Sequence, residues 1–443
     1  MTKRTEIRDQ ESEGAGRFGA ARSPQLVHIE KPIYGGAFLA RVEGKAVFVP
    51  LALPGEEVRA RVVEEKRGYA TAEAEEIVLA APERVAPMCR HFGACGGCQY
   101  QHANYAAQIE YKKAILRETL ERGGVKAPEE MDVAAAQPWG YRNRIRVALD
   151  GDGRVGYRGR RSHAVIPIAE CPIAAPVLVR AALAAGEIAR GGAKRLRVDE
   201  LRLFCDAEEK TLLASAVTAN GSHGFEEFAK AMAARIPELK GAELLVAGGR
   251  GQAERKVTQW GAEFLNYRAA GFEYRVDQGA FFQVNRRLVD ELVERVTGEV
   301  RGGVAWDLFA GVGLFARQLA KNFERVIAVE AAPAAMAALE HNLAGTSAKA
   351  VKAATLEFLR HATRSEPPDL IVVDPPRTGL GAETTALLGE IAAPAVVYVS
   401  CDPATLARDL RALLGAGYEI KQVSLADLFP QTFHLETVVR LRR

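Results

Sequence analysis

From Val304 onward the chain alternates short apolar runs with helical stretches, and this rhythm constrains the fold more than any other feature. The runs VAWDLF (304–309), RVIAVE (325–330), DLIVVDPP (369–376) and AVVYVSCD (395–402) are apolar on both faces. Strands buried on both faces belong to parallel sheets covered by helices on each side. The intervening stretches, such as PAAMAALEHNLA (333–344) and PATLARDLRALLGAG (403–417), supply the crossovers. Residues 276–443 are therefore predicted to form a mostly parallel, doubly wound α/β domain. Such sheets bind ligands outside the C-terminal ends of their strands, so the residues found there are the candidates for chemistry.

Each of these strands ends in polar or reactive groups. The first runs into Asp307-Leu308-Phe309-Ala310-Gly311-Val312-Gly313 and opens a helix. Glycines at such a turn let the backbone approach a ligand. The next strand ends in Glu330, a carboxylate placed to accept hydrogen bonds from both hydroxyls of a ribose. Together they indicate a nucleoside cofactor and leave S-adenosylmethionine (SAM) and NAD both open. Asp374-Pro375-Pro376-Arg377 closes the third strand, where two prolines remove amide donors. Read alone, this motif also suits an amino-group methyltransferase.

The fourth strand ends in Ser400-Cys401-Asp402-Pro403 immediately before a helix. A helix N-terminus beside a thiol is expected to favour the thiolate. Near the C-terminus Glu436 stands among apolar residues, where a carboxyl is expected to titrate high, as suits a base. Cys401 and Glu436 make chemical sense as a pair. Carbon 5 of uracil is a weak nucleophile until a thiolate adds to carbon 6, and a base must later remove the carbon 5 proton. An amino-group methyltransferase needs neither residue.

Five of the six cysteines remain to be explained, with Cys205 inside the strand-like LRLFCDA assigned to packing. No apolar run is long enough to span a bilayer and the N-terminus has no secretory h-region. A cytoplasmic protein without membrane association is expected, and there stable disulfides are rare. Cys89, Cys95, Cys98 and the distant Cys171 then suit zinc or an iron–sulfur cluster. Residues 1–24, polar and glycine-rich, are expected to be a disordered tail. Residues 25–82 alternate with period two between Gly-Gly, Glu-Gly and Pro-Gly turns, as in a small barrel. This stretch resembles a TRAM domain, an OB-like RNA-binding barrel; a generic barrel with no RNA role shares the pattern. Residues 83–275 form a central α+β region with a helix over Tyr105–Arg122 and strands joined by Asp-Gly turns between Pro138 and Pro172.

Taken in order, Phe281-Phe282-Gln283-Val284-Asn285, DLFAGVGLF, DPPRTGL, VSCDPATLARDL and HLETVVRL resemble the 5-methyluridine RNA methyltransferases of the 23S rRNA and tRNA type. The resemblance implies a class I (Rossmann-like) SAM methyltransferase domain. It places Gln283, Phe309, Gly311, Gly313, Glu330 and Asp374 at the cofactor, with Cys401 as nucleophile and Glu436 as base. It also implies that Cys89, Cys95, Cys98 and Cys171 hold a four-iron, four-sulfur cluster. The chain departs from the family at Leu314, where Asn is frequent, at Thr355, near a family Asn contact, and at Asp402 in place of Asn.

The total charge of +3 says nothing about nucleic acid, but its distribution does. Between Tyr141 and Arg161 seven arginines face only Asp150 and Asp152, with tyrosines among them. That is a footprint for RNA phosphates and stacked bases, and a solvated strand face would share it. Arg142, Arg144, Arg158 and Arg377 are the candidate substrate contacts. Within the family that the sequence resembles, a TRAM barrel together with a cluster is more typical of 23S rRNA enzymes, so the resemblance implies 23S rRNA, with a tRNA uridine enzyme as the alternative and a non-catalytic iron–sulfur RNA-binding protein as a third reading. A monomer is expected.

Overall fold

The computed structural model describes residues 23–191, 196–219, 221–248, 253–298, 300–363 and 366–443. All but the last two residues of the expected N-terminal tail lie outside this range. The described residues up to Lys31, together with Ala37–Pro82, form one compact unit; Pro32–Gly36 and Glu83–Arg443 form the other.

In the first unit the strands Gln25–Pro32, Ala37–Val42, Lys45–Pro50, Glu57–Glu65 and Tyr69–Leu79 close into a barrel. Alternation puts Ile29, Phe38, Val49 and Val58 inside, fully buried. The two-residue Glu43-Gly44 turn has positive φ at both positions (49° and 80°), which matches the twist of the flanking strands. Glu56 is buried and accepts hydrogen bonds from the amides of Leu53 and Ala81.

The second unit holds two larger sheets. One has seven strands in the order Arg255–Gly261, Leu239–Val246, Leu212–Thr218, Glu200–Cys205, Arg144–Leu149, Val155–Arg158, Val165–Pro167. Helices Pro176–Arg190 and Phe225–Arg235 pack on it around a core that includes Cys205.

The other sheet has eight strands in the order Ala348–Lys352, Phe323–Glu330, Gly302–Leu308, Leu370–Val373, Ala395–Ser400, Thr437–Arg442, Glu419–Ala426, Asp132–Ala134. Its first five are parallel, and the chain reverses direction across the sheet on either side of Gly302–Leu308. Thr437–Arg442 inserts antiparallel beside Ala395–Ser400, with Ser400 opposite Thr437. This register brings the residue before Thr437 to the residue after Ser400. Asp132–Ala134 adds a last parallel strand from the middle of the chain. Among the described residues no helix is long and apolar enough to cross a membrane.

Candidate active site

The inserted antiparallel strand decides the site. Because Ser400 pairs with Thr437, Cys401 and Glu436 meet at one sheet edge, next to Asp374 from the neighbouring parallel strand. Burial pushes the Cys401 thiol up to about 11; the carboxyls of Glu436 and Asp374 add to the shift and Arg377 opposes it. The expected thiolate is therefore not the resting form. The helix N-terminus beside Cys401 does not serve it, because Asp402 caps the helix and takes the amides of Ala404 (3.1 Å) and Thr405 (2.9 Å). Glu436 is 5% exposed. Its carboxyl is held well above the usual range by burial and then by Asp374, against Arg377. Asp374 is pushed up to about 7 by burial.

The glycine turn is built around Glu330. Its carboxylate accepts from the amide of Gly311 (2.8 Å) and from those of Ala331 and Ala332 (2.8 and 2.6 Å). Gly311 and Gly313 have φ of 56° and 87°, conformations that glycine adopts without strain. A Cβ on Gly313 would also come within 2.9 Å of Leu339. Phe309 adopts φ 69° without being glycine, a local strain of order 1 kcal/mol that persists only where its surroundings impose it. Gln283 is buried on a clamped segment: Asn143 donates from its amide to Val284 O (3.0 Å) and from its side chain to Gln283 O (2.9 Å). Asn285 donates to the carbonyls of Asp427 and Leu428 at the start of the Glu436 loop. Leu314 and Thr355 are both buried at helix starts.

Three residues that sequence reasoning passed over belong to this region. Asp307 is fully buried beneath the turn, accepts from the amide of Ala316 (2.8 Å) and is pushed up to about 7 by burial. An acid in the otherwise apolar run VAWDLF was the available signal. Tyr34 donates to Asp402 (3.2 Å) and stands edge-on to Phe433. His434 stacks on Phe433, and burial then the cation of Arg377 lower its ring to about 4. Nothing local in the sequence ties these residues to Cys401.

Cys89, Cys95, Cys98 and Cys171 line a single cavity of about 210 Å³, with His91, Tyr157 and Glu170 among its walls. All four are free thiols. Among the described residues, no three His, Cys, Asp or Glu side chains converge closely enough to chelate one metal ion. The seven arginines of the basic stretch divide. Arg154 is paired with Asp150 and Asp152, and Arg146 with Glu200. Arg158 donates to His163 O (2.6 Å) and Arg142 makes a long bond (3.4 Å) to Arg144 O. Arg144 is turned inward onto Phe204 rather than displayed on an open strand face.

The strand order, the glycine turn and the strand-end acids together define a SAM-dependent methyltransferase of the doubly wound class. A family described as tRNA (Uracil-5-)-methyltransferase matches residues 228–443, and the TRAM domain matches residues 21–74. A protein described as an uncharacterized RNA methyltransferase from Streptomyces avermitilis is 35% identical, covering 94% of this chain and 97% of its own. The 23S rRNA (uracil(1939)-C(5))-methyltransferase RlmD of Halomonas elongata is 32% identical over 92% of this chain and 87% of its own. The Pyrococcus abyssi tRNA (uracil-54, C5)-methyltransferase, solved with S-adenosyl-L-homocysteine, superposes with a TM-score of 0.77 at 25% identity, over 94% of this chain and 100% of that one. The chain belongs to the tRNA/rRNA uracil-5-methyltransferase family and is a SAM-dependent RNA uracil-C5 methyltransferase.

Proposed function

We propose that the enzyme methylates carbon 5 of a specific uridine in 23S rRNA through a transient bond between the Cys401 sulfur and carbon 6 of the base. The Ser400–Thr437 register, which sets Cys401 against Glu436 and Asp374, carries this reading. The Cys401 thiol, which is only partly buried, first gives up its proton to solvent, an ionisation that Arg377 favours. Its sulfur adds to carbon 6 and the displaced electron pair passes to carbon 5. SAM supplies a methyl group on a sulfonium, which carbon 5 takes, leaving S-adenosylhomocysteine. Glu436 removes the carbon 5 proton, and the released pair restores the ring double bond and expels the sulfur. A carboxylate whose pKa is raised by burial is a stronger base than one in water.

In this reading Gln283, Phe309, Gly311, Gly313, Glu330 and Asp374 surround SAM. Arg142, Arg144, Arg158 and Arg377 contact RNA. Residues 25–82 act as the TRAM module, 83–275 as the cluster and RNA-binding region, and 276–443 as the methyltransferase. The enzyme works as a cytoplasmic monomer. The shared cavity of the four cysteines supports a four-iron, four-sulfur cluster over a single zinc ion. One zinc needs all four sulfurs about 2.3 Å from a common point, whereas a cluster gives each thiolate its own iron. Protein purified without oxygen should carry about four irons and four sulfides; stoichiometric zinc without sulfide would remove the cluster.

The covalent route is tested by Glu436→Gln. With RNA and methyl-labelled SAM, this variant should transfer one methyl and stall, leaving labelled RNA attached through denaturing electrophoresis; Cys401→Ala should give neither product nor adduct. Normal turnover by Glu436→Gln would require another base, and 5-methyluridine from Cys401→Ala would end the covalent mechanism. Nucleoside mass spectrometry on 23S rRNA and tRNA offered side by side identifies the substrate. Label in tRNA alone would favour the tRNA alternative.

A further inference from the structure

The seven-stranded sheet carries a second cavity, of about 420 Å³, which shares Arg142, Ile145 and Arg146 with the cysteine cavity but is lined by none of the four cysteines and by no strand-end residue of the methyltransferase sheet. Arg144, Arg202, Phe204, Ser215 and Glu243 project into it from four adjacent strands, and the turn at Gln278 closes it. Arg202 is neutralised by Glu200 and Glu254. Arg144 has no acidic partner among the described residues. Its guanidinium lies 4.0 Å over the Phe204 ring, which is itself stacked on Tyr267, and Nη1 is pinned on Ala280 O (2.7 Å). Nε and Nη2, the two donors on one edge of the guanidinium, are buried and have no partner among the described residues.

A buried cation with two unanswered donors is costly to keep. Its orientation is fixed by a ring on one side and a carbonyl at one end, so the free edge is a pre-set fork for two acceptors in one plane. RNA offers such a pair as guanine O6 and N7 or as two oxygens of a phosphate. The walls decide between them. Glu243, 5% exposed, presents a carboxylate that accepts from Ser215 (2.8 Å) and lies 4.0 Å from the Lys256 amine; an acid on this wall favours a neutral base over a phosphodiester. Aromatic packing behind the fork also suits a flat ring.

We propose that this cavity receives an unpaired guanine of the substrate RNA, separate from the target uridine, and that Arg144 reads its O6 and N7. The pocket would then set sequence preference beside the modified site. The proposal rests on RNA being the substrate and not on the chemistry at Cys401. Two residues beyond the cavity's Gly279 the chain enters the segment that holds Gln283, so an occupied pocket and the cofactor site share one clamped strand of backbone.

The test is binding of the full-length protein to fluorescent single-stranded decamers, read by anisotropy at one fixed salt concentration. The probes are an all-uridine decamer, the same with one central guanine, and the same with 7-deazaguanine. The guanine probe should bind roughly 5- to 100-fold more tightly, as one bidentate pairing implies, and 7-deazaguanine should lose most of that gain. Arg144→Lys, which keeps the charge without the fork, should erase the guanine preference, so that the variant binds the guanine, 7-deazaguanine and all-uridine probes alike. An equal loss on every probe with a shallower salt dependence would make the site a phosphate contact and overturn the guanine assignment. No guanine preference in the wild-type protein would overturn it regardless of how Arg144→Lys folds. Methyl transfer to rRNA, measured on the same preparations, shows whether the enzyme's own reaction stands when the pocket reading falls.

Discussion

Asp307 lies inside the sheet with one carboxylate oxygen on the Ala316 amide and the other facing no donor among the described residues. Its pKa rises from 3.8 to about 7 on folding. The folded protein therefore binds more protons than the unfolded chain between those values, and stability falls as pH rises from about 4 to 7. Above pH 7 the cost is fully present, on the order of 4 kcal/mol for a shift of this size. Asp307→Asn keeps an acceptor for Ala316 and cannot titrate. Urea denaturation of the SAM-free protein should find the variant more stable than wild type at pH 8 and little different at pH 4. An unchanged pH slope would show that Asp307 is not the group responsible, leaving Asp374 and Glu436, which carry shifts of the same sign. Placement that follows from residue type and local position was legible in the sequence: a cysteine and an acid at strand ends, glycines in a turn. Asp307 was not, because its environment comes from strands on both sides. Tyr34 was not, because its partner Asp402 lies 368 residues away. The thiolate expected of Cys401 from the helix N-terminus is opposed by burial and by the carboxyls of Glu436 and Asp374, surroundings that a local reading of the sequence does not show, and Asp402 occupies the helix end.

The loop that ends in Glu436 is held by a helix outside the methyltransferase sequence proper. Asn104 caps Tyr105–Arg122 through the Ala107 amide, and Gly123 ends it, which is why this helix could be read directly. Its buried side makes the anchor: Lys112 pairs with Asp427 and donates to Phe429 O (2.9 Å), and Tyr105 donates to Asp427 (2.8 Å). Gln108 and Gln431 exchange hydrogen bonds in both directions, holding Gln431 at φ 70°. Burial lowers the Lys112 amine despite its partner. Lys112→Met leaves Asp427 buried without a counter-charge and should cost about 3–5 kcal/mol, whereas Lys112→Met combined with Asp427→Asn should recover a large part of it. Equilibrium denaturation of the three proteins checks both; a single variant within 0.5 kcal/mol of wild type, roughly what a surface substitution does, would mean that the pair does not anchor the loop. In sequence Lys112 looks like any charged helix position. The strand Asp132–Ala134 was equally invisible, since three residues hold no period and its partner Ser424–Ala426 lies almost 300 positions on.

At the scale of the molecule the cysteine loop and the arginine hairpin are one piece. Gly96 donates to Arg158 O (3.1 Å), Arg160 donates to Ala94 O (3.0 Å), and Cys95 bridges to Gly159. A side chain on Gly96 would bring its Cβ within 3.2 Å of Arg158 O, so the glycine of the CGGC loop serves this docking. Cys171 reaches the same cavity from the chain that follows the hairpin. The cluster proposed for this cavity would tie both ends of the hairpin, and with it the placement of Arg158, Arg160 and Arg161. Except for Gln283, which Asn143 of the arginine-bearing stretch clamps, the groups assigned to SAM lie at the strand ends of the eight-stranded sheet. Stripping the cluster should therefore separate two functions that a general loss of structure would abolish together. Iron-depleted protein should bind rRNA more weakly, and the slope of log affinity against log salt should fall by roughly one unit for each phosphate that the hairpin no longer neutralises. SAM affinity, measured by calorimetry on the same sample, should stay within about twofold of that of the intact protein, since a stronger change needs more than about 0.4 kcal/mol of coupling. Reconstitution with iron and sulfide should restore both the affinity and the slope. Unchanged RNA binding in the depleted protein would detach the arginines from the cysteines, and loss of SAM binding would show that the cluster supports the whole second unit rather than the arginine hairpin alone.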